Sequence, residues 1–98
     1  MDNALTDEQR VAKGQQAERI LNDVTLMGFF EEWRSILLTC IGNTLPDDHK
    51  TREGLYYQHR GIVDLEAHLT AYRETARGII ERDALQQEAA AEPDLETD

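Results

Sequence analysis

Few side chains in this sequence could do chemistry at neutral pH. They are three histidines (His49, His59 and His68), one cysteine (Cys40) and scattered carboxylates. His68 follows Asp64 by four residues, a spacing that puts both on one face of a helix. Two ligands fall short of a metal site, and no further histidine or cysteine clusters with them. Cys40 with a histidine could form a nucleophile and its base. However, Cys40 lies in an apolar run at helical spacing, where a small buried hydrophobe is the ordinary role. Glu31-Glu32 beside Trp33-Arg34 reads as a solvated helix edge. The glycines stand singly and make no phosphate-cradling loop. The expectation is therefore a non-enzymatic protein, with no catalytic residue, metal, cofactor or small-molecule substrate.

The 98 residues form one domain at most, of limited core, for which partners or self-association would aid stability. The formal net charge is −10, and half of it sits in residues 88–98, which carry five acids and no base. The rest is close to balanced. A broad basic face for phosphates is therefore not expected, nor is direct nucleic-acid binding. Arg52, Arg60, Arg73, Arg77 and Arg82 interleave with Glu53, Glu66, Glu74, Glu81 and Asp83 and read as a salt-bridged, solvated face. No apolar run approaches a membrane span, and the polar start MDNALTDEQR does not read as a secretory signal. The lone cysteine fits a reducing cytoplasm.

The elements that would position these residues are helices, since no long alternating strand pattern occurs. Thr6-Asp7-Glu8-Gln9 is a capping box that opens a first helix over about 7–21. Its apolar stripe is thin (Val11, Ala17, Ile20, Leu21), and Gly14 weakens its centre by about 1 kcal/mol relative to alanine. Asp23 caps a second helix over about 24–41. Its seam runs through Leu26, Phe30, Trp33, Leu37 and Cys40, and Phe29, Ile36 and Leu38 add a second flank. A stripe this wide can touch two neighbours: the first helix, the third, or another subunit. Gly42 or Asn43 in a left-handed conformation, followed by Pro46, ends this helix. Asp47 or Asp48 caps a third over about 48–87, and so short a connection folds it back antiparallel. Leu55, Ile62, Leu69 and Ala76 recur every seven residues, with Gln58, Leu65, Tyr72 and Ile79 between them. Gly54, Gly61 and Gly78 are either close-packing points or tolerated costs.

The fold expected is all-α. It is an antiparallel hairpin of 24–41 and 48–87 with an additional N-terminal helix, 7–21. This makes a single domain over 1–87, followed by a disordered acidic tail over 88–98. Trp33 and the Tyr56-Tyr57 pair are large aromatics that serve either as core or as anchors for a partner. Tyr56 fits the seam, which leaves Tyr57 facing out. The candidate partner-binding residues are Phe29, Trp33, Ile36 and Tyr57.

Two stretches carry a resemblance: Ala17-Glu18-Arg19-Ile20-Leu21-Asn22-Asp23, and Pro46-x-Asp48-x-x-x-Arg52-Glu53-x-Leu55-Tyr56. Together they resemble small helical proteins encoded among the structural and packaging genes of tailed bacteriophages, over about 17–80. Val24 stands where proline often follows the aspartate, and Thr51 where glycine is common. The resemblance implies a phage or prophage origin, a location in the host cytoplasm or the virion, and a non-enzymatic role. That role would be in virion assembly or DNA packaging, through self-association or another phage protein. The competing expectation is a small inhibitor of a host nucleic-acid-binding protein, using the acidic tail to occupy a basic groove.

Overall fold

The computed structural model describes residues 4–91 and contains three α-helices, α1 (Asp7–Leu21), α2 (Val24–Gly42) and α3 (His49–Ala91). Each helix starts where a local cap dictates. The Thr6 hydroxyl accepts from the Gln9 amide at 3.1 Å, and the Gln9 side chain accepts from the Thr6 amide at 2.8 Å. The Asp23 carboxylate accepts from the Leu26 amide at 3.1 Å, and Asp48 accepts from the Thr51 amide at 3.2 Å. Each cap satisfies an amide that has no partner inside its helix.

α1 and α2 run in the same direction along α3, one after the other, and both are antiparallel to it. Asp7 reaches Arg82, and Ala17 lies in a hollow with Leu69 and Tyr72. Arg34 meets Glu66, and Ile41 shares a hollow with Arg52 and Tyr56. Thus α1 covers the C-terminal half of α3 and α2 the N-terminal half. α1 packs mainly on α3 and only slightly on α2. The molecule is one long hairpin with a continuous arm and an arm broken at Asn22-Asp23. A hairpin with an extra helix packed beside it, which the sequence suggested, describes it only in part. The 43 residues of α3 rise about 64 Å at about 1.5 Å each. The extents are 81 × 36 × 20 Å, and the radius of gyration of 21.5 Å far exceeds the about 13 Å of a compact chain this long.

Two boundaries differ from the sequence expectation. α3 continues to Ala91, carried by the strong helix formers of Gln86–Ala91, so a disordered tail does not begin at residue 88. The remainder of that expected tail, 92–98, lies outside the described residues. The end of α2 also departs, because Asn43 has φ −95° and no described residue has positive φ. Its corner is closed by side chains. The Thr44 hydroxyl donates to the Ile41 carbonyl at 2.8 Å, and the Arg52 guanidinium donates to Thr44 Oγ1 at 2.9 Å and to the Leu45 carbonyl at 2.6 Å. A charged donor holding two loop acceptors replaces the left-handed cap.

The core is thin. Among the described residues, the buried apolar side chains are Ala17, Leu37, Ala76 and Ile79. Gly14 is also buried, and its role is contact. A Cβ there would stand 2.5 Å from the Tyr72 carbonyl oxygen and would overlap the Ala76 methyl. The residue that weakens α1 as an isolated helix is thus the one that lets α1 lie against α3. Gly28, Gly54, Gly61 and Gly78 meet nothing within 4 Å of such a Cβ, so they are tolerated costs and not packing points. Gly28→Ala and Gly78→Ala are each expected to stabilise the chain by about 0.5–1 kcal/mol, through helix propensity and a less flexible unfolded state. The check is a rise of a few degrees in the thermal midpoint of the far-ultraviolet circular dichroism.

Candidate functional site

The seam of α3 is not the one its apolar residues suggest. Leu55, His59, Ile62, Glu66, Leu69, Arg73 and Ala76 are half-buried or buried at alternating steps of four and three, and Arg52, Val63 and Thr70 are half-buried on the same flank as His59. The sequence expectation filled the gaps with Gln58, Leu65 and Tyr72, and all three are exposed. Of that series only Ile79 is buried, beneath α1. Both series border the Leu55–Ala76 stripe, and where the other arm lies decides which is covered. Here the arm covers the polar series. Arg34 Nη1 stands 3.2 Å from a Glu66 carboxylate oxygen across the seam, with both side chains mostly shielded.

The same choice decides α2. Leu37 is buried, and Leu26, Phe30 and Ile41 are half-buried beside it. Arg34 and Leu38, on one flank, share a hollow with His59. Phe29, Trp33, Ile36 and Cys40 occupy the opposite flank at steps of four, three and four, and all are exposed. Phe29 is 61% exposed, Trp33 48% and Ile36 44%. Since His59 of α3 marks the Leu38 flank, the uncovered Leu65, 45% exposed, falls on the Trp33 side. The candidate site is this apolar strip: Phe29, Trp33, Ile36 and Cys40 of α2, with Leu65 of α3 exposed on the same side of the hairpin.

Of the residues singled out from sequence, the structure brings Phe29, Trp33 and Ile36 onto one strip and leaves Tyr57 elsewhere. Tyr57 is 63% exposed, and helical spacing puts it roughly opposite the Leu55–Ile62 stripe, so it is accessible but not part of this face. Tyr56, expected in the seam, is exposed and lies tilted against Tyr57 at 5.9 Å between ring centroids. Cys40 was expected to be buried and is exposed. Sequence reasoning missed Leu65, although its position in the heptad was noted. The missing signal was which flank α2 would leave open.

The groups that could do chemistry are dispersed or paired. The hollow holding Cys40 is lined by Glu32, Ser35, Ile36 and Thr39, with no histidine. Asp64, the possible companion of His68, pairs with Arg60 at 3.2 Å. Among the described residues, no three His, Cys, Asp or Glu side chains gather as a metal site would need. No described helix is long and apolar enough to cross a membrane. The arginines of α3 are engaged. Arg73 and Arg77 share Glu74 at 3.1 and 3.3 Å, Arg77 also reaches Glu18 at 3.3 Å, and Arg82 holds Asp7 at 2.6 Å and Asp83 at 3.0 Å. A hollow of 470 Å³ lies between α1 and the end of α3 and is lined by Val11, Ile79 and Ile80 among others.

Two carboxyl groups titrate below their ordinary range. The Arg82 guanidinium, donating to Asp7, holds that carboxyl down. Hydrogen bonds from the Thr51 side chain and amide do the same for Asp48. A carboxyl whose folded value is depressed adds stability above its unfolded value. That stability is lost as pH falls through the folded value. The helical signal is therefore expected to hold down to about pH 4 and to weaken below it. Asp7→Asn, with no charge to lose at that position, should flatten this acid limb in a circular dichroism titration.

No family model matches the chain, and neither does any curated protein or solved structure.

Proposed function

We propose that this chain is a non-enzymatic, phage-encoded interaction protein, an accessory of virion assembly or DNA packaging that works by docking the apolar flank of α2 on a protein surface. The carrying observation is the Phe29, Trp33, Ile36 strip. Three large apolar side chains stand in line, each more than two-fifths exposed, on a helix whose other face is already packed. Contiguous apolar surface of this kind marks interaction sites, and tryptophan is the residue most enriched at their energetic centres. The phage assignment is supported by the resemblance over 17–80. Its quoted residues Asp23, Asp48 and Arg52 are those whose side chains build the corners of the hairpin. The host cytoplasm or the virion is the place for such a protein.

The test is a phage or prophage carrying the triple variant Phe29→Ser, Trp33→Ser, Ile36→Ser. The variant chain should retain its helical signal, since these side chains add little to the hairpin's own core. Particle yield should fall by about tenfold or more, because centres of this type dominate association. An unchanged yield from a folded triple variant would refute the assembly role.

A further inference from the structure

The docking reading leaves the occupant of the strip open, and the following inference rests on that reading. We propose that the strip is covered by the same strip of a second copy, so that two α2–α3 hairpins pair face to face about a two-fold axis as a four-helix layer.

The described elements of the chain do not cover the face. α1 is committed to the other half of α3, and Gly14 holds it there in close contact. Of the residues outside the described range, 92–98 carries four carboxylates in seven positions, which suits no apolar surface. The face is thus open to a second chain.

Area and chemistry both match a second copy. Whole aromatic side chains present about 150–250 Å² each. At their observed exposures, Phe29, Trp33, Ile36 and Leu65 leave roughly 400 Å² of apolar surface on one side. A standard interface buries about 800 Å² per partner, a little over half of it apolar. The strip thus supplies nearly the whole apolar share of one side. An isologous pairing needs the same patch on the other side, and symmetry provides it. The strip residues carry no charge, so the matching surface must itself be uncharged and apolar. It is a ridge on a two-helix layer, not a groove that would enclose a single peptide. Two such layers stacked through one flank form the ordinary way for helical hairpins to complete a core. The arrangement also explains why α3 keeps Leu65 outside its polar seam. In the pair, Leu65 becomes part of the central layer beside Trp33.

The experiment is the mass of the full chain in solution by light scattering after size-exclusion chromatography. The wild type is compared with Trp33→Glu, Phe29→Ser and Tyr57→Glu. The wild type should have the mass of two chains. Trp33→Glu and Phe29→Ser should run as one chain at the same concentration, with Trp33→Glu weakening the dissociation constant by about 30-fold or more. Tyr57→Glu, on the far side of α3, should remain at two chains. Trp33 is the sole tryptophan. On dilution of the wild type its emission should shift to the red and become open to acrylamide quenching as the pair separates. This readout, with Phe29→Ser, decides the matter if Trp33→Glu loses its helical signal. A wild type of one-chain mass at every concentration overturns the proposal, as does a dimer indifferent to both strip substitutions. A one-chain wild type whose triple variant still abolishes particle formation would remove the second copy and leave docking to another protein standing. A strip-dependent dimer with unchanged particle yield would do the reverse.

Discussion

Gly14→Val is expected to detach α1 from α3. The first carbon of the new side chain would stand 2.5 Å from the Tyr72 carbonyl oxygen, a backbone atom that cannot turn aside. The second obstacle is the Ala76 methyl, which is also rigid. α1 must then move outward and lose the contact that buries Ala17, Ala76 and Ile79. Overpacking of this kind costs about 1–3 kcal/mol, and valine is itself a poor helix former. A helix of 15 residues with a thin apolar stripe is marginal in water, so once detached it should melt. The measurement is far-ultraviolet circular dichroism, with a loss of about a fifth of the described helical residues. Gly14→Ala should fall between, because its helix propensity gain of about 1 kcal/mol opposes the same clash. Ala76→Gly added to Gly14→Ala should recover only part of the loss, since the Tyr72 carbonyl remains. Full helical content in Gly14→Val would show that α1 does not pack this closely.

The second large effect belongs to Leu37. It is 2% exposed and is the one buried apolar side chain of α2 among the described residues. Among the described residues, the other buried apolar side chains, Ala17, Ala76 and Ile79, belong to the contact between α1 and α3. Leu37→Ala is expected to lose about 2–5 kcal/mol, the usual range for removing a buried leucine and leaving a cavity. The neighbouring Leu38, 54% exposed, provides the contrast. Leu38→Ala should change stability by less than about 0.5 kcal/mol. Urea titrations of the two variants separate them, and equal losses would contradict the assignment of Leu37 to the seam. The consequence reaches the apolar strip, because Leu37 fixes the rotation of α2. If it no longer anchors the helix, the line of Phe29, Trp33 and Ile36 loses its fixed direction.

The helix starts were legible because caps act over three residues. Thr6 with Gln9, Asp23 with Leu26, and Asp48 with Thr51 are each satisfied within a single turn, whatever the rest of the chain does. The reversal at residues 43–48 was legible for the same reason, although Arg52 and not a left-handed residue closes it. The common flank of Phe29, Trp33 and Ile36 was also legible, since it follows from helical spacing alone.

Tertiary structure decided the rest. In α3 the series containing Leu65 and Tyr72 and the series containing His59 and Glu66 flank one stripe, and local pattern favours burying the apolar one. The structure half-covers the polar one because α2 arrives on that side, with Arg34 set against Glu66. Gly14 shows the same limit, since a glycine that weakens a helix and one that admits a neighbour look alike until the neighbour is in place. Sequence by itself determined the three helices, their caps and the surplus of apolar residues on α2. Only the packing of both short helices along α3 determined which of those residues remain uncovered, because burial depends on the partner surface and not on the helix that carries the side chain.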